Sequence, residues 1–157
     1  MTYANETWKQ LELTYKPFRQ ALDAFLTGTQ QQRIGAIREN YQVNRPLVIL
    51  LLLEFVSVED LEELLPFLLS HAQSIHGYLW AFRSIILRIP REWLTDHIEK
   101  AAEPFLQGAN DEAFRRLLEL YFEIAPSLVR RLAERALASS DAETREAGAD
   151  FLEKLAG

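Results

Sequence analysis

Asn110-Asp-Glu-Ala-Phe-Arg-Arg-Leu-Leu-Glu-Leu-Tyr-Phe-Glu-Ile-Ala125, then Pro126, then Ser-Leu-Val-Arg-Arg-Leu-Ala-Glu-Arg-Ala-Leu-Ala138, sets a pattern that the rest of the chain repeats. Phe114, Leu117, Leu118, Tyr121 and Ile124 fall on one face of a 3.6-residue period. Asn110 is placed to cap this helix. Asp111 and Glu112 stand in its first turn, where the helix dipole favours negative charge. Pro126 cannot continue the helix but suits the first turn of the next, in which Leu128, Leu132, Ala136 and Leu137 form a second apolar stripe. The stretch predicts a helical hairpin.

Similar hairpins can be read on both sides. Trp8, Leu11, Tyr15 and Phe18, followed by Ala21, Leu22 and Phe25, keep helical spacing from Tyr3 to Leu26. Pro17 interrupts them, either as a kink or as the start of a second helix. The second reading is favoured, because Lys16-Pro17-Phe18 is echoed by Arg45-Pro46-Leu47. Thr29 to Tyr41 is a more polar helix, and Leu47 to Val56 is apolar nearly all round, so Leu47 to Leu53 is expected to be mostly buried. Ser57 is spaced to cap Val58 to His71; Ser74 to Ile89, then a helix from Pro90 to Gly108, follow. Boundaries near 28, 57, 90 and 126 cut the chain into five segments of similar length, each able to hold two helices. No segment alternates as a strand does. The expected fold is all-α, with about ten helices in one domain, 1–157.

Composition narrows the function classes. A chain of 157 residues, 48% hydrophobic and 25% charged, has the make-up of an ordered globular protein. A net charge of −6 argues against general nucleic-acid binding, which needs clustered Lys and Arg. Having no cysteine, the sequence has neither disulfides nor thiolate chemistry. A cytoplasmic setting is expected, since no signal-peptide pattern opens the chain. The longest apolar run, Leu47 to Leu53, is far short of the roughly 20 residues a bilayer requires, so no membrane association is expected.

Near the C-terminus, Asp141, Thr144, Arg145, Gly148 and the following Phe151-Leu152 resemble the second half of a HEAT repeat, clearest over residues 127–156. In that family an Asp sits in the inter-helix turn, Val-Arg opens the second helix, and small residues precede a Leu. Thr144 stands in the valine position and Gly148 near an alanine one. The resemblance implies a short right-handed α-solenoid, an α-α superhelix of degenerate HEAT-like helical hairpins. It also implies that Asp141 caps the last helix and that Arg145 reaches toward the preceding repeat.

Catalytic chemistry finds little footing. Phosphate-binding glycine loops, dinucleotide fingerprints and metalloprotease motifs are absent from the sequence. His71 and His76 are separated by an expected turn, and adjacent Asp96 and His97 project about 100° apart on a helix. No catalytic residue, metal site or cofactor is expected. The expected function is non-enzymatic protein binding by a scaffold or adaptor, with a monomer favoured. The second helices of the hairpins, starting near Pro17, Pro46, Ser74, Asn110 and Glu143, form the expected ridge. Its candidate contact residues are His76, Tyr78, Trp80, Arg83, Arg115, Arg116 and Glu119. Arg115 and Arg116 lie off the Phe114 stripe and are expected to be solvated.

Alternatives come from other classes. HEAT-like proteins include DNA glycosylases with a basic concave face, and Trp80, Trp93, Tyr121 and Asp96 could be offered for such a site. Against it, residues 57–108 hold four bases and eight acids. The same resemblance extends to subunits of bilin lyases. An acidic helical surface would also suit a toxin-neutralising immunity protein.

Overall fold

Short local signals mark where the helices begin. In the computed structural model, which describes residues 3–73 and 77–157, the Thr29 hydroxyl accepts from the Gln32 backbone N–H at 3.3 Å. The Gln32 side chain returns the bond to the Thr29 N–H at 2.9 Å, completing a capping box. Ser57 accepts from the Asp60 N–H, Asn110 from the Ala113 N–H and Asp141 from the Thr144 N–H, at 3.3, 2.9 and 2.7 Å. Gly108, at φ 78°, supplies the left-handed residue that closes one helix before Asn110 opens the next.

Among the described residues there are nine helices and no strand: α1 Tyr3–Thr27, α2 Gln30–Asn40, α3 Arg45–Glu54, α4 Val58–Ala72, α5 Leu79–Ile86, α6 Arg91–Leu106, α7 Asp111–Ile124, α8 Pro126–Leu137 and α9 Ala142–Ala156. The protein is all-α. Its chain divides into two units, Met1–Val48 and Ile49–Gly157.

In the first unit, Leu22, Ile34, Ile37, Tyr41 and Val48 are buried. Arg33 closes the end of α1 by donating to the Leu26 carbonyl at 3.3 Å and to the Gly28 carbonyl. The expected break at Pro17 does not occur, and α1 runs through it. Pro66 and Pro104 likewise lie inside α4 and α6. All three prolines are exposed. Each leaves one helical carbonyl without a donor on the outer side, where water can replace the missing bond. No second helix starts at Pro17, so that member of the expected ridge is withdrawn.

The second unit builds its core from α4 to α9. Sequential neighbours α4 and α5, α6 and α7, and α8 and α9 pack together, and further contacts join α4 to α6, α7 to α8 and α7 to α9. Leu61, Leu64, Leu65, Leu68 and Leu69 of α4 meet a core completed by Phe82, Ile85, Leu94, Ile98, Leu117, Leu118, Leu128 and Phe151. The whole Phe114, Leu117, Leu118, Tyr121, Ile124 stripe is buried as expected. On α8, Val129 and Ala133 are buried, whereas Leu137 is 42% exposed. It lies outside the arc that faces α7 and α9.

Three other expectations change. Leu47 and Leu50 of α3 are 39% and 42% exposed, so the all-round apolar helix shows one side to solvent. Helix α5 begins at Leu79, following a turn at Gly77 and Tyr78, and is shorter than the span from Ser74 to Ile89. Beyond it, Arg88 donates to the carbonyls of Leu52 and Val56, the latter at 2.9 Å. Arg145 stays with the turn that precedes its own helix, bonding the Ser139 and Ser140 carbonyls at 3.0 and 2.8 Å. The Ala142–Ala156 helix begins so close to those carbonyls that they capture the guanidinium before it can extend to the preceding hairpin.

Candidate functional site

Most of the sequence-derived contact residues lie on α5 and α7. Tyr78 is half-buried at the start of α5, and Trp80, two residues further along, is 64% exposed. Arg83, next on that helix, pairs with Glu119 of α7 and donates to the Arg116 carbonyl at 3.1 Å. Arg83, Arg116 and Glu119 are thereby brought together. Trp80 and Arg83 also line an open groove of about 270 Å³ with Leu79, Ser84, Leu87 and Glu123. His76 lies outside the described residues.

Arg115 and Arg116 are not free surface charges. The Arg115 guanidinium meets Asp150 of α9 at 2.8 Å, and this hydrogen bond holds the arginine above its ordinary pKa. Arg116 pairs with Glu112 at 2.8 Å, one turn back on its own helix, and its Nε is buried. The stripe was read correctly, but beside it Arg115 reaches across to α9 while Arg116 pairs along α7.

A second cluster was missed by sequence reasoning. On α6, Glu99 and Glu103 stand one turn apart, facing Arg131 and Arg135 one turn apart on α8. Arg131 grips both oxygens of Glu99 through Nε and Nη2, at 2.9 to 3.1 Å. Arg135 grips both oxygens of Glu103, at 2.6 and 3.0 Å. These forked pairs raise both arginines, and the Arg135 hydrogen bond lowers Glu103. Beneath them lies Tyr121 of α7, 1% exposed, in a cleft of about 50 Å³ that also includes Leu106 and Leu132. Burial, reinforced by Glu99, holds the phenol well above its ordinary pKa. The matched i, i+4 spacing of acids at 99 and 103 and bases at 131 and 135 was the available signal.

Elsewhere, Trp93 stacks on His97 with ring centroids 4.1 Å apart, and His97 Nδ1 lies 2.7 Å from the Trp93 carbonyl. The pair walls a cleft of about 480 Å³ shared with Glu62, Pro66 and Lys100. In the first unit, α1 leaves Trp8, Leu11, Tyr15 and Phe18 exposed in one helical row. Among the described residues, no group of three or more His, Asp or Glu is gathered closely enough to hold a metal ion. No described helix is long and apolar enough to cross a membrane.

No protein-family model, curated protein or solved structure matches this chain.

Proposed function

We propose that this chain is a non-enzymatic protein-binding module, a short α-solenoid of degenerate HEAT-like hairpins that receives a protein partner along the ridge formed by α5 and α7. Trp80 is the observation that carries this reading. A tryptophan exposed beside an open groove offers a large apolar surface for desolvation on binding, and tryptophan is enriched among interface residues that dominate affinity. Arg83 and Glu123 supply a polar rim to the same groove. Contacts of α4 with α6 and of α7 with α9 support stacking of successive hairpins. A cytoplasmic monomer remains part of the proposal.

The glycosylase-like alternative draws less support. Arg83, Arg115, Arg116, Arg131 and Arg135 each pair with a carboxylate, which leaves less positive charge for phosphates. Tyr121 is buried and cannot stack on a base.

The test begins with affinity capture from the native host, followed by titration of the captured protein with wild type and Trp80→Ala. Affinity is expected to fall about tenfold or more, as for a hot-spot residue. The exposed substitution is expected to change stability by no more than about 0.5 kcal/mol. Equal affinity for the two proteins would remove the α5 groove from the proposed surface. Salt-resistant capture of DNA would favour the nucleic-acid reading.

A further inference from the structure

Tyr121 poses a question that packing alone does not answer. Its hydroxyl is buried and has no hydrogen-bond partner in the structure. A phenylalanine would fill the same space without an unsatisfied polar atom, whose burial is unfavourable. Tyr121 lines a cleft whose mouth is formed by the half-exposed Glu99–Arg131 and Glu103–Arg135 pairs, and all four charges act on its phenol. Two carboxylates accept, two guanidiniums and one phenol donate, and their charges sum to zero.

We propose that the cleft over Tyr121 is a binding site for a primary carboxamide, whose carbonyl accepts from the Tyr121 hydroxyl and whose NH₂ donates to the Glu99 or Glu103 carboxylate. The size fits. About 50 Å³ compares with roughly 30 Å³ occupied by one water in the liquid, so the cleft admits the tip of a small molecule or side chain rather than a cofactor. The charge pattern selects among such tips. An anion would meet two carboxylates whose guanidiniums are already engaged, and a cation would meet the guanidiniums themselves. Either would also surrender hydration on entering. A neutral group carrying both donor and acceptor meets neither cost. The phenol is protonated throughout the neutral range at its ordinary pKa, and burial only raises it further, so it is available as a donor.

The amide can come from a free small molecule or from an asparagine or glutamine side chain of a partner. This site is distinct from the α5 groove and does not depend on that groove binding anything.

Acetamide, acetate and acetamidinium are nearly the same size and differ in charge. Each is titrated into the full chain while NMR follows the Nε–H signals of Arg131 and Arg135. Acetamide is expected to give saturable shifts, with acetate and acetamidinium at least about tenfold weaker. Tyr121→Phe, verified as folded by its thermal unfolding, is expected to weaken acetamide about tenfold, the worth of one hydrogen bond. N-acetylglutaminamide, compared with N-acetylleucinamide, separates the sources. If it binds more tightly than acetamide and the leucine analogue does not bind, the occupant is a side chain. If acetamide binds at least as tightly, the occupant is a free amide.

Three results would overturn the site: no saturable shift with acetamide, an unchanged response in Tyr121→Phe, or preference for either charged probe. A crystal grown in saturating acetamide that shows an ordered water alone over Tyr121 would do the same.

Discussion

Gly148 of α9 packs directly against the backbone of α8. A Cβ added there would stand 2.6 Å from the Ala133 carbonyl oxygen and 3.0 Å from the Ala136 Cβ. Helix propensity favours alanine over glycine by about 1 kcal/mol, but overpacking against a backbone atom opposes it. The steric effect should win. Gly148→Ala is expected to destabilise by about 1–3 kcal/mol in chemical denaturation; a stabilised variant would show that the two helices separate freely. Asp141 permits a test of sign. Its side-chain and backbone hydrogen bonds with Thr144 lower its folded pKa below the ordinary 3.8. Its contribution is therefore present above the unfolded carboxylate pKa and lost as pH falls through the folded value. The advantage of wild type over Asp141→Asn, measured from neutral to acid pH, should shrink below about pH 4. A constant difference would mean that the charge at the cap contributes nothing. Both caps and charges of this kind were legible in the sequence, because donor and acceptor are three residues apart.

Helices α1, α4 and α6 show what proline does when its free carbonyl faces water. Pro17, Pro66 and Pro104 remain inside them. Proline in a helix interior is disfavoured relative to alanine by about 3 kcal/mol, while its stiffness lowers the entropy of the unfolded chain. Pro17→Ala should therefore slow hydrogen exchange of α1 amides, and unchanged exchange would show that the proline does not limit this helix. The start of α7 has a simpler rule. Losing the Asn110 side-chain acceptor in Asn110→Ala is expected to reduce stability by about 1 kcal/mol, read from the shift in denaturation midpoint. Helical periodicity identified this element and its buried stripe. It could not distinguish a tolerated proline from a break at Pro17, since both readings leave the same apolar spacing.

Across the second unit, side-chain ties join residues 32 to 36 positions apart. Arg131 and Arg135 reach Glu99 and Glu103 at a separation of 32, Arg115 reaches Asp150 at 35, and Arg83 reaches Glu119 at 36. These separations are close to the spacing of the sequence segments, and the pairs tie α5 to α7, α6 to α8 and α7 to α9. A double-mutant cycle on Glu99→Ala and Arg131→Ala should return a coupling of no more than about 1 kcal/mol, since both side chains are about half exposed. The coupling should decrease as salt rises. A larger, salt-insensitive value would mean that this ladder contributes more to stability than the apolar core suggests.

What the sequence determined by itself is the class, the caps and the inward stripes. Those rest on interactions within one helical turn, and Asn110, Asp141 and the Phe114-to-Ile124 spacing display them directly. Trp80, Arg83, Arg116 and Glu119 were singled out from their helices, but without the contacts that join the last three. Tertiary structure alone decided that Arg83 pairs with Glu119, that Arg115 turns to Asp150, and that Tyr121 lies beneath two forked ion pairs. It also decided which leucines of the apolar α3 helix stay exposed. The reason is range. A cap or a stripe is fixed by neighbours along the chain, whereas the partner of a long side chain depends on which helix the packing places beside it.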